Sequence, residues 1–148
     1  MTLRAPLILI AAMAPTMGQA WSFSPDPICT LTHQADAAEI AITYDDSLPE
    51  YALFITLRQG EWPASASFEM TFQGGIPVTI GTTRHVISAD GATLSVRDRG
   101  FGNVLDGIEF NAGLAALAGG ARVTADTRDA AEAVQAFRAC PADIPALS

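Results

Sequence analysis

Arg84-His85-Val86-Ile87-Ser88-Ala89-Asp90-Gly91-Ala92-Thr93-Leu94-Ser95-Val96-Arg97 is the stretch that decides the fold. An Asp-Gly pair between short alternating runs is a strong hairpin signal, because both residues tolerate the backbone conformation of a tight turn. The stretch predicts two antiparallel strands, over 84–88 and 93–97, joined at Asp90-Gly91. Alternation turns Leu94 and Val96 toward a core and Arg97 and Arg99 away from it. Two registers are open. A two-residue turn sets Arg84 opposite Arg97, whereas a three-residue turn with a bulge at Gly91 brings His85 to that side.

The same two-residue period extends toward the N-terminus. Strands are expected over 28–33, over 39–44 with Ile40, Ile42 and Tyr44 on one face, and through Tyr51, Leu53, Ile55 and Leu57. Phe68, Met70 and Phe72 alternate with polar residues, and Gly74-Gly75 turns the chain into Ile76, Val78 and Ile80. Pro77 lacks a backbone N–H, so that last strand belongs at a sheet edge. Beyond the hairpin, 99–103 reads as an irregular loop, 104–110 as extended and 111–118 as two turns of Ala/Leu helix ended by Gly119-Gly120. A final strand over 122–125 precedes a helix that Asp126 or Thr127 can cap and that runs to about Ala139. Ala130, Ala133, Val134, Phe137 and Cys140 share one face of it. The fold class expected is mainly β, α+β at the margin: a small antiparallel sandwich or open barrel with a C-terminal helix.

The chain has 148 residues, 49% of them hydrophobic, the size and composition of one folded domain. All eight basic residues are Arg, which excludes Schiff-base, P-loop and lysine-assisted serine chemistry. Arg4, an apolar run over 5–14 and the small-x-small site Gly18-Gln19-Ala20 read as a cleaved signal peptide over 1–20, leaving one β-rich domain over 21–148. The apolar run is too short to span a bilayer, so no transmembrane segment is expected. Trp21 rather than Cys follows the cut, which leaves no site for a thioether-linked lipid. The expected location is periplasmic or secreted. Cleavage removes Arg4 and no acid, lowering the formal charge from −8 to −9. Nucleic acid is a poor partner for such a surface. An unknown protein or small molecule of the envelope is the partner expected.

Cys29 and Cys140 are the only cysteines, and an oxidising compartment favours a bond between them. The helix face that carries Cys140 points its sulfur inward, so the bond would staple the C-terminal helix to the first strand. A redox-active pair needs closely spaced thiols, which this chain lacks.

A wider pattern accompanies these features. The chain has an early Trp-x-Phe and Cys and a Ser-Ala-Asp-Gly turn. Asp98-Arg99-Gly100-Phe101-Gly102-Asn103-Val104-Leu105-Asp106-Gly107 and a closing Ala136-Phe137-Arg138-Ala139-Cys140 follow. In these it resembles a group of short secreted alphaproteobacterial proteins of unknown function. Some of that group go by the automatic name of an ABC excinuclease component, and the strand-then-helix ending is distantly similar to the invasion-associated locus B family. The resemblance implies an exported protein and no catalytic residue. A DNA-repair helicase would need a Walker lysine, and this chain has no lysine.

Few residues could carry chemistry. His33 shares a strand face with Cys29 and Leu31, which reads as a buried imidazole. A hydrolase would have to use His33 or His85 with a Ser or Thr and an acid such as Asp36 or Asp90, and no Gly-x-Ser-x-Gly elbow is present. With both cysteines bonded, the ligand set for zinc is thin, and neither metal nor cofactor is expected. Asp45, Asp46 and Glu50, and likewise Asp106 and Glu109, lack calcium-loop spacing. Gly100 and Gly102 lack the third glycine of a dinucleotide loop, since Leu105 stands there. The pattern left over is positive: Arg84, Arg97 and Arg99 form a candidate anion-binding patch, neutralised by an acid such as Glu69 or Asp98 or by an anionic ligand. The function expected is a non-catalytic binding or envelope-interaction module, with a small periplasmic hydrolase as the alternative.

Overall fold

A computed structural model describes residue 2 and residues 20–143, so the expected signal peptide lies almost wholly outside the described residues. In chain order the elements are β1 (Ser22–Ser24), β2 (Cys29–Gln34), β3 (Ala38–Asp45), β4 (Glu50–Leu57), β5 (Phe68–Gln73) and β6 (Val78–Thr82). They continue with β7 (Val86–Ile87), β8 (Thr93–Asp98), α1 (Gly102–Glu109), β9 (Gly113–Ala118), β10 (Ala121–Asp126) and α2 (Ala131–Asp143). Two separate antiparallel sheets form, ordered β1-β2-β3-β4-β8-β7 and β10-β9-β5-β6. The fold is therefore a mixed α+β one, a sandwich rather than a closed barrel. Pro77 leads into β6, which lies at a sheet edge as its missing N–H requires.

Register aligns the apolar positions into rows that cross each sheet. On the inner face of the first sheet one row runs Phe23, Leu31, Ile42, Leu53, Val96, and the next runs His33, Ile40, Ile55, Leu94, Ile87. The facing rows of the second sheet are Val123, Ala116, Met70, Ile80 and Ala125, Leu114, Phe72, Val78. Leu31, Ile40, Ile42, Ile55, Phe72 and Leu94 are fully buried. Each such side chain contributes about 1.5–3 kcal/mol through removal of apolar surface from water.

The central hairpin forms, with a different turn. Its strands pair Val86 with Ser95 and Ile87 with Leu94. The Gly91 N–H donates to the Ser88 carbonyl at 2.9 Å, so Ala89 and Asp90 are the central turn residues and Gly91, with φ of 75°, follows them. The Asp90 carboxylate accepts bonds from the Ser88 hydroxyl at 2.6 Å and the Ala92 N–H at 3.0 Å. These two bonds, the hydroxyl first, hold its pKa below the ordinary value.

Two expectations are overturned together. In place of an extended segment over 104–110, those residues lie mostly in α1, which buries Val104, Leu105, Gly107 and Ile108. In place of a helix over 111–118, β9 is an interior strand paired with both β5 and β10. The preference of Ala and Leu for helix is worth only tenths of a kcal/mol per residue, and two flanking strands outweigh it. Gly107 explains the placement of α1: a Cβ there would lie 2.4 Å from the Phe72 ring, so only glycine lets the helix close onto the sheet. Similarly, a Cβ on Gly75 would lie 2.0 Å from the Phe110 carbonyl oxygen.

The C-terminal helix packs as its periodicity requires, with Ala130, Val134, Phe137 and Cys140 buried. Asp126 and Thr127 act in the turn before it. The Thr127 hydroxyl donates to the Asn111 carbonyl at 2.7 Å, and Asp126 accepts the Arg128 N–H. Phe137 lies 6.2 Å from Tyr51, which packs 4.6 Å from Tyr44. Burial, and secondarily Tyr44, pushes the Tyr51 phenol above its usual pKa. The Cys29–Cys140 disulfide joins β2 to α2 across a Cα separation of 6.1 Å. Arg138 reaches from α2 to Asp106 of α1 at 2.5 Å.

Candidate functional site

The two sheets do not close on each other at the edge formed by β8 and β6. Strand β7 has two residues and pairs only with Leu94 and Ser95, so Val96 and Asp98 have no strand beyond them. Across the gap, Ile80 and Thr82 lie on the edge strand of the other sheet. Arg84, on the link from β6 to β7, and Gly100, Phe101 and Asn103, at the turn into α1, border what remains open. A cavity of about 180 Å³ is left between them. Its walls are apolar: Leu53 and Val96 from one sheet, Phe68, Met70 and Ile80 from the other, Phe101 and Val104 from the start of α1. Its polar lining comes from Thr82, Arg84, Asp98 and Asn103, of which Arg84 and Asn103 are exposed and mark the mouth.

The three candidate arginines are distributed unevenly about this mouth. Arg84 donates from Nη2 to Asp98 Oδ2 at 3.0 Å. The Arg99 N–H donates to the other oxygen of the same carboxylate at 2.7 Å, and the Arg99 side chain makes no ion pair among the described residues. Arg97, next to Asp98 in the strand, falls on the opposite face of the sheet. There it pairs with Glu50 at 3.2 Å and its guanidinium carbon lies 5.5 Å from the Phe54 ring centre. Glu69 borders a shallow depression beside Arg84 and makes no ion pair with it. Asp98 thus organises Arg84 and the Arg99 backbone at the cavity, and Arg97 belongs to a separate surface.

Both histidines lie outside the cavity lining. His33 is 1% exposed and stacks on Trp21, with ring centres 4.6 Å apart and planes at 9°. Neither of its ring nitrogens has a hydrogen-bond partner among the described residues. Burial lowers its pKa; the Ala20 backbone, close but outside hydrogen-bond geometry, and the Asp126 carboxylate oppose the shift. Asp126 is itself held at about 2, chiefly by its hydrogen bond from Arg128. His85 sits against Phe68, ring centres 6.3 Å apart, with its Nδ1 buried and unpartnered. No group of three or more metal-ligating side chains occurs among the described residues.

Sequence reasoning singles out Arg84 and names Asp98 as a partner, but it misses the cavity they border. Ile80 and Val96 lie on different strands and Phe101 at the entry to α1, and only Val96 carries an inward assignment. Their common signal would have been apolar residues flanking an unusually short edge strand. No protein-family model, curated protein or solved structure matches the chain.

Proposed function

We propose that this protein is a non-catalytic binding module that takes a small, largely apolar ligand into the cavity between its sheets. Periplasmic or secreted location, suggested by residues 1–20, is part of the same proposal. The observation that supports it is the combination of apolar walls with convergent polar groups at one mouth, the usual make-up of a small-molecule site. At about 180 Å³ the cavity is smaller than the roughly 300–1,000 Å³ of drug-sized sites, so the ligand is small. His33 and His85, the residues a hydrolase would use, both lie outside the cavity lining.

Methyl-detected NMR tests the proposal. Titration with 1-hexanol should shift the Leu53, Ile80 and Val96 methyl signals saturably, and Val96→Phe, which fills the space, should abolish the response. Unshifted methyls, or an equal response in the filled variant, would refute it. Ester or amide turnover lost on His33→Ala or His85→Ala would replace it with the hydrolase reading.

A further inference from the structure

We infer that the ligand is a short-chain amphipathic carboxylate, its tail in the cavity between the sheets and its head held by Arg84. This rests on the cavity being the ligand site proposed above. The size of the space sets the tail. At about 180 Å³, well below a drug-sized site, it suits a short acyl chain rather than a long or branched one.

The head follows from how the mouth is wired. Each oxygen of Asp98 already accepts a bond, one from Arg84 Nη2 and the other from the Arg99 N–H, and its charge is paired with Arg84. A cationic head would therefore meet a carboxylate already neutralised and a guanidinium that repels it. Arg84 uses a single nitrogen on Asp98, and its Nε and Nη1 have no acceptor among the described residues. Those donors suit a carboxylate, which a guanidinium can bind through two parallel bonds. Asn103 and Thr82 add polar groups at the same mouth. The arginine side chain is 71% exposed, so it can turn toward a head without disturbing the core. Glu69, which borders the depression beside Arg84, makes no ion pair with it, and acids farther away than about 8–10 Å are screened at physiological salt.

Hexanoate, 1-hexanol and hexylamine carry the same tail with three different heads, and titration calorimetry with the full exported chain separates them. Hexanoate should bind about tenfold more tightly than hexanol, because a carboxylate can pair with the guanidinium through two bonds and a neutral hydroxyl through one, and hexylamine more weakly than either. Arg84→Gln should remove the advantage of hexanoate, weakening it by about tenfold, while weakening hexanol far less. Circular dichroism identical to that of the parent would verify that this exposed substitution leaves the fold intact. Equal affinity for hexanoate and hexanol, tighter binding of hexylamine, or an equal loss of both probes on Arg84→Gln would overturn the carboxylate assignment while leaving the cavity as a binding site. Absence of binding by all three would overturn both.

Discussion

Breaking the disulfide should destabilise the protein strongly without changing its fold at low temperature. Reduction, or the Cys29→Ala/Cys140→Ala double variant, opens a loop closed across 111 residues. The chain-entropy relation for a loop of that length gives about 4.8 kcal/mol of lost stability. Domains of this kind are stable by about 5–15 kcal/mol, so the loss takes a third or more of the total and the native state should still dominate in the cold. The structure says why the helix then stays in place: Ala130, Val134 and Phe137 are fully buried and hold α2 without the covalent link. At about 3–5 °C per kcal/mol for a domain of this size, the melting temperature should fall by roughly 15–25 °C. Far-UV circular dichroism of oxidised and reduced protein, with thiols titrated in each, measures both quantities. Melting points within about 3 °C of each other would refute the loop-closure reasoning, and loss of strand signal in the cold would refute the claim that α2 packs independently of the bond.

Three further outcomes are expected. Gly107→Ala should lower stability in urea by about 1–3 kcal/mol, because the new methyl meets the buried Phe72 ring. An unchanged or stabilised variant, as helix preference alone would give, would show that α1 does not seat against that ring. His33 should make stability fall as pH drops below about 6.5, its unfolded value, since burial lowers the folded pKa and the unfolded chain then binds the extra proton. The slope cannot exceed about 1.4 kcal/mol per pH unit for one such group, and His33→Phe should abolish it; a variant retaining the full slope would assign it to other residues. Arg97→Ala removes an exposed pair with Glu50 and should change stability by at most about 1 kcal/mol, so a variant that fails to fold would contradict the placement of Arg97 on the open face.

Local patterning carried most of the architecture. Strands β2, β3, β5, β8 and β10 sit where apolar and polar residues alternate, β4 holds a continuous apolar run, and Cys140 falls on the helix face that its spacing from Ala133 and Phe137 dictates. In the alternating strands and the helix the period of the side chains and the surface they must bury agree, and neighbouring residues suffice to define both. For the same reason the pairing of two distant cysteines was legible, given an oxidising compartment.

Contacts between distant residues decided the rest. Residues 113–118 are small and largely buried, a composition that suits a helix in isolation, and only their position between β5 and β10 makes them a strand. The seat of α1 depends on the Phe72 ring of another element. The candidate site depends on where β7 stops and on how 99–103 borders the gap, and neither leaves a periodic trace in the chain. By itself the sequence determined which residues alternate, which face of the last helix is apolar and which charges are scarce. Tertiary structure decided which strands are neighbours and where a sheet edge stays open. A side-chain period is a property of consecutive residues, whereas an edge is defined by the absence of a partner from elsewhere in the chain.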